Sequence, residues 1–116
     1  MRAIYKKTIE IYKDRYGFEP YTEWLSSFKK DYKTLARIEQ RIGRMEHGNL
    51  GDYKALKEGI FELRLDFGPG YRIYFGQENQ RIVMLLCGGN KNTQKNDIVL
   101  AKTFWQDYQE IRNEKI

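Results

Sequence analysis

Two short segments carry arginines where a phosphate could be held. In "IFELRLDF", residues 60 to 67, Phe61, Leu63, Leu65 and Phe67 alternate with Glu62, Arg64 and Asp66. In "YRIYFG", residues 71 to 76, Tyr71, Ile73 and Phe75 alternate with Arg72 and Tyr74. A period of two sends Glu62, Arg64, Arg72 and Tyr74 to the side of two adjoining strands that faces away from the apolar core. The tight "GPG" between the segments makes these side chains near neighbours. Just upstream, "DYKALKEG" supplies Lys54 and Lys57, and downstream "GGNKN" supplies Lys91. Five cations with interleaved tyrosines on one concave side of a sheet suit a phosphate backbone and stacked bases. Guanidinium groups there would stabilise charge developing on a phosphoryl group. A lysine crowded by other cations has its pKa depressed and becomes a usable base.

A plainer reading stands at even weight beside this one. Arg64 and Arg72 would then be solvated residues on an exposed sheet face, paired with Glu62 and Asp66. Arg37, Arg41 and Arg44 form a second basic row, at helical spacings of four and three. Most such rows are solvated helix faces, and a minority dock on nucleic acid or an acidic partner. His47, the only histidine, falls at a helix end where the dipole favours a cation. No Ser-His-Asp or Cys-His pairing can be built around it. "GPGYRIYFG" lacks the spacing of a nucleotide-binding glycine loop.

The elements that must position these residues follow from periodicity. "AIYKKTIEIY", 3 to 12, reads as a first strand. Pro20 suits the first turn of a helix carrying Tyr21, Trp24, Leu25 and Phe28. Asp31 is the N-cap of a second helix, with the apolar line Leu35, Ile38, Ile42 and Met45, closed by Gly48 and Asn49. "RIVMLLC", 81 to 87, is apolar on both faces and reads as a central strand covered on both sides. Gly88-Gly89 let the chain leave that strand and deliver Lys91 to the rim of the cleft. An amphipathic helix then spans about 97 to 112, with Asp97 at its N-cap or first turn. The fold class is α+β, in the order β-α-α-β-β-β-α. Its sheet is small and antiparallel-rich, with two N-terminal helices and one C-terminal helix packed on it.

Composition bounds the rest. The chain has 116 residues, read as a single domain over 1–116, with 41% hydrophobic and 15% aromatic residues, enough to fold. Its net charge of +5 favours polyanions or an acidic partner. No apolar run reaches the roughly 18 residues of a membrane span, and the charged N-terminus is no signal peptide. The single cysteine, Cys87, points to a reducing cytoplasm. Without His/Cys clusters, neither a structural zinc nor any other cofactor is expected.

Several segments together resemble the phage-derived addiction-module killer proteins of the RelE/ParE toxin superfamily, close to the HigB type. They are "GDYKALKEGIFELRLDFGPGYRIYF" at 51 to 75 and "LLCGGNKNTQKNDIVLAKTFWQDY" at 85 to 108. The pieces that carry it are "ELR", "GPGYR", and "GGNK" followed by Gln94, Asp97 and Ile98, with "YTEWLSSF" matching the first helix. The resemblance implies a RelE-like fold and a type II toxin held inactive by a cognate antitoxin, often a helix-turn-helix protein. RelE and HigB relatives cleave mRNA on the ribosome, whereas ParE relatives poison DNA gyrase. For this chain it implies a metal-independent, ribosome-dependent endoribonuclease that blocks translation. Arg64 and Arg72 would stabilise the phosphorane, and Lys54 or Lys57 would be the base. Lys91 would hold a flanking phosphate, Tyr74 would stack on a base or orient the sugar, and Arg41 and Arg44 would extend the RNA contact. The competing readings are a gyrase-directed inhibitor and a non-catalytic basic module that binds antitoxin or nucleic acid.

Overall fold

A computed structural model describes residues 6–114. Strand β1 (Thr8–Ile11) leads into helices α1 (Pro20–Ser26) and α2 (Tyr32–Glu46). Strands β2 (Tyr53–Ala55), β3 (Ile60–Arg64), β4 (Arg72–Glu78) and β5 (Ile82–Gly89) follow, with a one-turn 3-10 helix at Lys57–Gly59, and α3 (Gln94–Glu114) closes the chain. The five strands form one mixed sheet in the order β1-β5-β4-β3-β2. Three of its four pairings are antiparallel, and β1 lies parallel to β5.

The alternation sorts each strand between two apolar layers. Leu63, Ile73, Phe75, Val83 and Leu85 meet Tyr21 of α1 and Ile38 and Met45 of α2. Ile60, Tyr74, Met84 and Leu86 meet Ala101 and Trp105 of α3. β5 contributes to both, which is why its sequence is apolar without alternation. Each fully buried Val, Leu, Ile, Phe or Met among them contributes roughly 1.5–3 kcal/mol.

The α+β class with three helices and an antiparallel-rich sheet holds, and four details differ from expectation. A fifth strand, β2, pairs with β3 at the sheet edge; its three exposed residues give no periodic signal. The first strand is shorter than expected, and its expected residues 3–5 lie outside the described ones. Helix α3 starts at Gln94, earlier than expected, which leaves Asp97 in its first turn, one of the two places expected for it. Finally, the sheet face bearing Glu62 and Tyr74 is not open, because α3 covers it. Asp31 does cap α2, accepting from the Thr34 amide at 3.2 Å.

The double glycine is explained by close approach on two faces. A β-carbon on Gly88 would collide with the Trp24 indole, and one on Gly89 with the Asp97 carboxylate and Thr93. Opposite faces of one strand end thus receive α1 and α3 directly.

Candidate functional site

Antiparallel pairing places Arg64 of β3 directly opposite Arg72 of β4. In the same pairing Glu62 faces Tyr74, and across β2 it faces Lys54. Arg72 is also the register partner of Gly89. The loop leaving β5 therefore begins beside Arg72, and it returns Lys91 to the turn before β4. A β-carbon on Gly70 would lie 3.6 Å from the Lys91 β-carbon and 3.5 Å from Arg72 Nη1. Arg64, Arg72 and Lys91 so gather at the end of the sheet where α3 begins, and Lys54 on β2 lies diagonally from Arg64 on its far side.

Beneath them lies Glu62, only 1% exposed. Its Oε1 accepts from Arg64 Nε at 3.3 Å. Its Oε2 accepts from the Tyr74 hydroxyl at 3.1 Å and from Gln94 Nε2 at 2.7 Å. A buried carboxylate needs such donors to offset its desolvation. The bond through Nε fixes the plane of the Arg64 guanidinium, while no described residue accepts from its two Nη groups. Gln94, the first residue of α3, ties the helix to the same carboxylate, so the positive end of a 21-residue helix adds to the local field.

Arg72 is held differently. Its Nη1 reaches the Gly70 and Tyr71 carbonyls, each at 3.3 Å, and its buried Nε has no partner among the described residues. Two like charges set directly opposite each other in a ladder are unfavourable, as is an orphaned donor. Both costs would fall if an anion entered between the arginines.

The loop before α3 is locally built. Asn90 accepts through its side chain from the Asn92 and Thr93 amides, at 2.8 and 3.2 Å. The Thr93 hydroxyl donates to Asp97 at 2.5 Å. Burial raises the Asp97 pKa above the usual carboxylate range, opposed by that Thr93 bond.

Other expected residues are placed elsewhere. Tyr74 is fully buried, and burial first, then the Glu62 charge, push its hydroxyl upward; its ring is a strut under Glu62 and has no free face to offer a base. Lys57 lies in the 3-10 turn before Ile60, at the opposite end of β3 from Arg64. Along a strand that separation is roughly 13 Å, so Lys57 does not join the other four cations. Arg41 is not on a solvated row. It is 7% exposed and donates Nη2 to the Leu50 carbonyl. Exposed Arg37 and Arg44 stand beside it, and all three line a cavity that Arg64 also borders.

The plainer reading had named Glu62 as a partner of the arginines, and it does pair with Arg64; sequence reasoning missed that Glu62 is buried and also holds Tyr74 and Gln94. Glu62 shares the alternation frame of Arg64 and Tyr74, which was the available signal. Nothing local to Gln94 announces a partner 32 residues away.

Residues 23–106 match the model of the family described as Phage derived protein Gp49-like (DUF891). An uncharacterized protein of Haemophilus influenzae is 47% identical over 87 residues, spanning 75% of this chain and 87% of that protein. These findings correct the RelE/ParE, HigB-like resemblance: the matching model is that of a distinct, phage-derived family.

Proposed function

From the premise that the chain belongs to the phage-derived Gp49-like family, we propose that it is the toxin of a toxin–antitoxin pair and that it cleaves mRNA without a metal. Membership in this family is consistent with a toxin-like module in general. The cleavage reading rests on one observation, the directly opposed pair Arg64 and Arg72. One arginine is oriented by buried Glu62, and the other carries a buried Nε with no partner among the described residues.

In the proposed reaction the 2′-oxygen attacks the adjacent phosphorus and the bond to the 5′-oxygen breaks. Arg64 and Arg72 bind the non-bridging oxygens, whose charge grows in the phosphorane. Lys54 lies diagonally from Arg64 across β2 and β3, roughly 7–8 Å away at the backbone. It takes the 2′-hydroxyl proton, and Lys91 or water protonates the departing 5′-oxygen. Lys57, in its distant turn, has no part. Among the described residues, no three His, Cys, Asp or Glu side chains are grouped to hold a metal ion.

The site offers charge for the backbone, and Tyr74, being buried, is not a stacking platform for a base. The ribosome would supply what the site lacks, by presenting a short, fixed stretch of message. The antitoxin, a cognate helix-turn-helix partner, would keep the toxin silent in the cytoplasm. No helix among the described residues is long and apolar enough to cross a membrane.

Incubating the purified chain with translating ribosomes and end-labelled mRNA, with metal limited to what ribosomes require, tests the chemistry. The proposal expects fragments ending in 2′,3′-cyclic phosphate and 5′-hydroxyl. Fragments with 5′-phosphate ends, or uncut message, would overturn it.

A further inference from the structure

A second feature lies next to the proposed cleavage site and is not used by it. Between α2, the loop from Gly48 to Asp52 and the end of β3 is a cavity of about 300 Å³. Arg37, Arg41, Arg44 and Arg64 line it, with Asp52 and Asp66. Among the described residues neither aspartate comes within ion-pairing distance of an arginine. The cavity therefore keeps a surplus of positive charge.

Arg41 marks it as built for an anion. The residue is more than nine-tenths buried, yet among the described residues it has no carboxylate partner and its Nη1 has no hydrogen-bond acceptor. Gly51, at φ +63°, lies flat against this guanidinium, where any side chain would displace it. Burial, and then Arg44, lower the Arg41 pKa, while Asp52 raises it. Arg37 is held by its own contact, 4.0 Å above the Phe67 ring. A buried, unpaired guanidinium beside further cations is costly without a counter-charge. Planar guanidinium forks match phosphate oxygens.

We infer that this cavity binds a phosphate of the RNA strand next to the one being cleaved, with Arg64 as the wall shared by the two sites. This rests on the cleavage reading for its ligand, but not for its geometry. Two adjacent phosphates held in two pockets would set the strand's direction across the sheet end and bring one 2′-hydroxyl toward Lys54.

The test uses the full chain and an RNA oligonucleotide with one 2′-deoxy position, which cannot be cut there. Its affinity is measured against salt for wild type, Arg44→Gln and Arg37→Gln. Both arginines are exposed, so Arg44→Gln should keep its thermal midpoint, and Arg37→Gln, which gives up the Phe67 ring contact, should lose little of it. Each should lose about fivefold in affinity at 0.1 M salt and flatten the salt slope by about 0.7, the value of one phosphate contact on a single strand. Unchanged affinity and slope in both variants would overturn the inference. Inorganic phosphate is the second probe: at matched ionic strength it should raise the thermal midpoint of wild type above chloride, and raise that of Arg44→Gln less. Stabilisation by inorganic phosphate with unchanged RNA affinity in the variants would also overturn it, in favour of a free-phosphate site. Cleavage by Arg72→Ala alongside weakened RNA binding by Arg44→Gln would instead sink the cleavage reading and leave this pocket standing.

Discussion

Arg64 and Arg72 occupy the same register position on neighbouring strands, and among the described residues only Arg64 of the two has a carboxylate partner, Glu62. Packing alone does not explain the pair, because an apolar or oppositely charged neighbour would be more stable there. The arrangement is reasonable as a cradle for one anion, with the stability of the sheet supplied by the layers on either side. Neutralising Arg72 should therefore remove activity without weakening the fold. Arg72→Ala is expected to lower RNA cleavage by about 10²–10³-fold, the range for losing one oxyanion donor. Its thermal midpoint should be unchanged or slightly higher, as read by calorimetry.

Tyr74 and Glu62 should behave as supports. Tyr74→Phe keeps the buried ring and removes one hydrogen bond to a carboxylate. A loss of roughly 1.5–3 kcal/mol in denaturant unfolding is expected, with cleavage retained. Glu62→Ala strands Arg64 and Gln94 as well and should cost more, with cleavage lost alongside. Loss of cleavage in a stable Tyr74→Phe protein would show that the hydroxyl has a direct role.

Much of this frame could be read in the sequence and some could not. The alternation in "IFELRLDF" and "YRIYFG" announced the two arginines on one face, and the unbroken apolar run through Val83 to Leu86 announced cover on both sides. That same cover meant α3 would bury Tyr74, a consequence periodicity does not state. Strand β2 escaped because three exposed residues at an edge have no apolar stripe. Arg41 looked like its neighbours Arg37 and Arg44 because spacing gives a helix face but not how deep one member sits. Its burial depends on the Gly51 loop folding back over it.

Cys87 should be inert in the folded protein. Burial, and then Asp97, push its thiol up to about 12, and only 6% of the residue is exposed. At pH 8 iodoacetamide should label it only in denaturant, as followed by mass. Rapid labelling of native protein would mean the end of β5 opens readily.

Asp97 should leave a mark on the pH dependence of stability. The folded protein holds its proton more tightly than the unfolded chain does, because burial raises the pKa. Its contribution to stability is therefore greatest at low pH. It fades as pH rises from about 3.9, the unfolded value, through the raised folded one. Asp97→Asn lacks this loss, so urea titrations should show the variant gaining on wild type across that window. A difference that stays constant with pH would contradict the burial argument.

The most direct measurement of the central claim is a map of mRNA 5′ ends after controlled expression of the chain without antitoxin. The account predicts growth arrest with new 5′ ends at in-frame codon positions, absent in Arg72→Ala protein produced at the same level. Arrest with intact messages, or the same cuts made by Arg72→Ala, would contradict it.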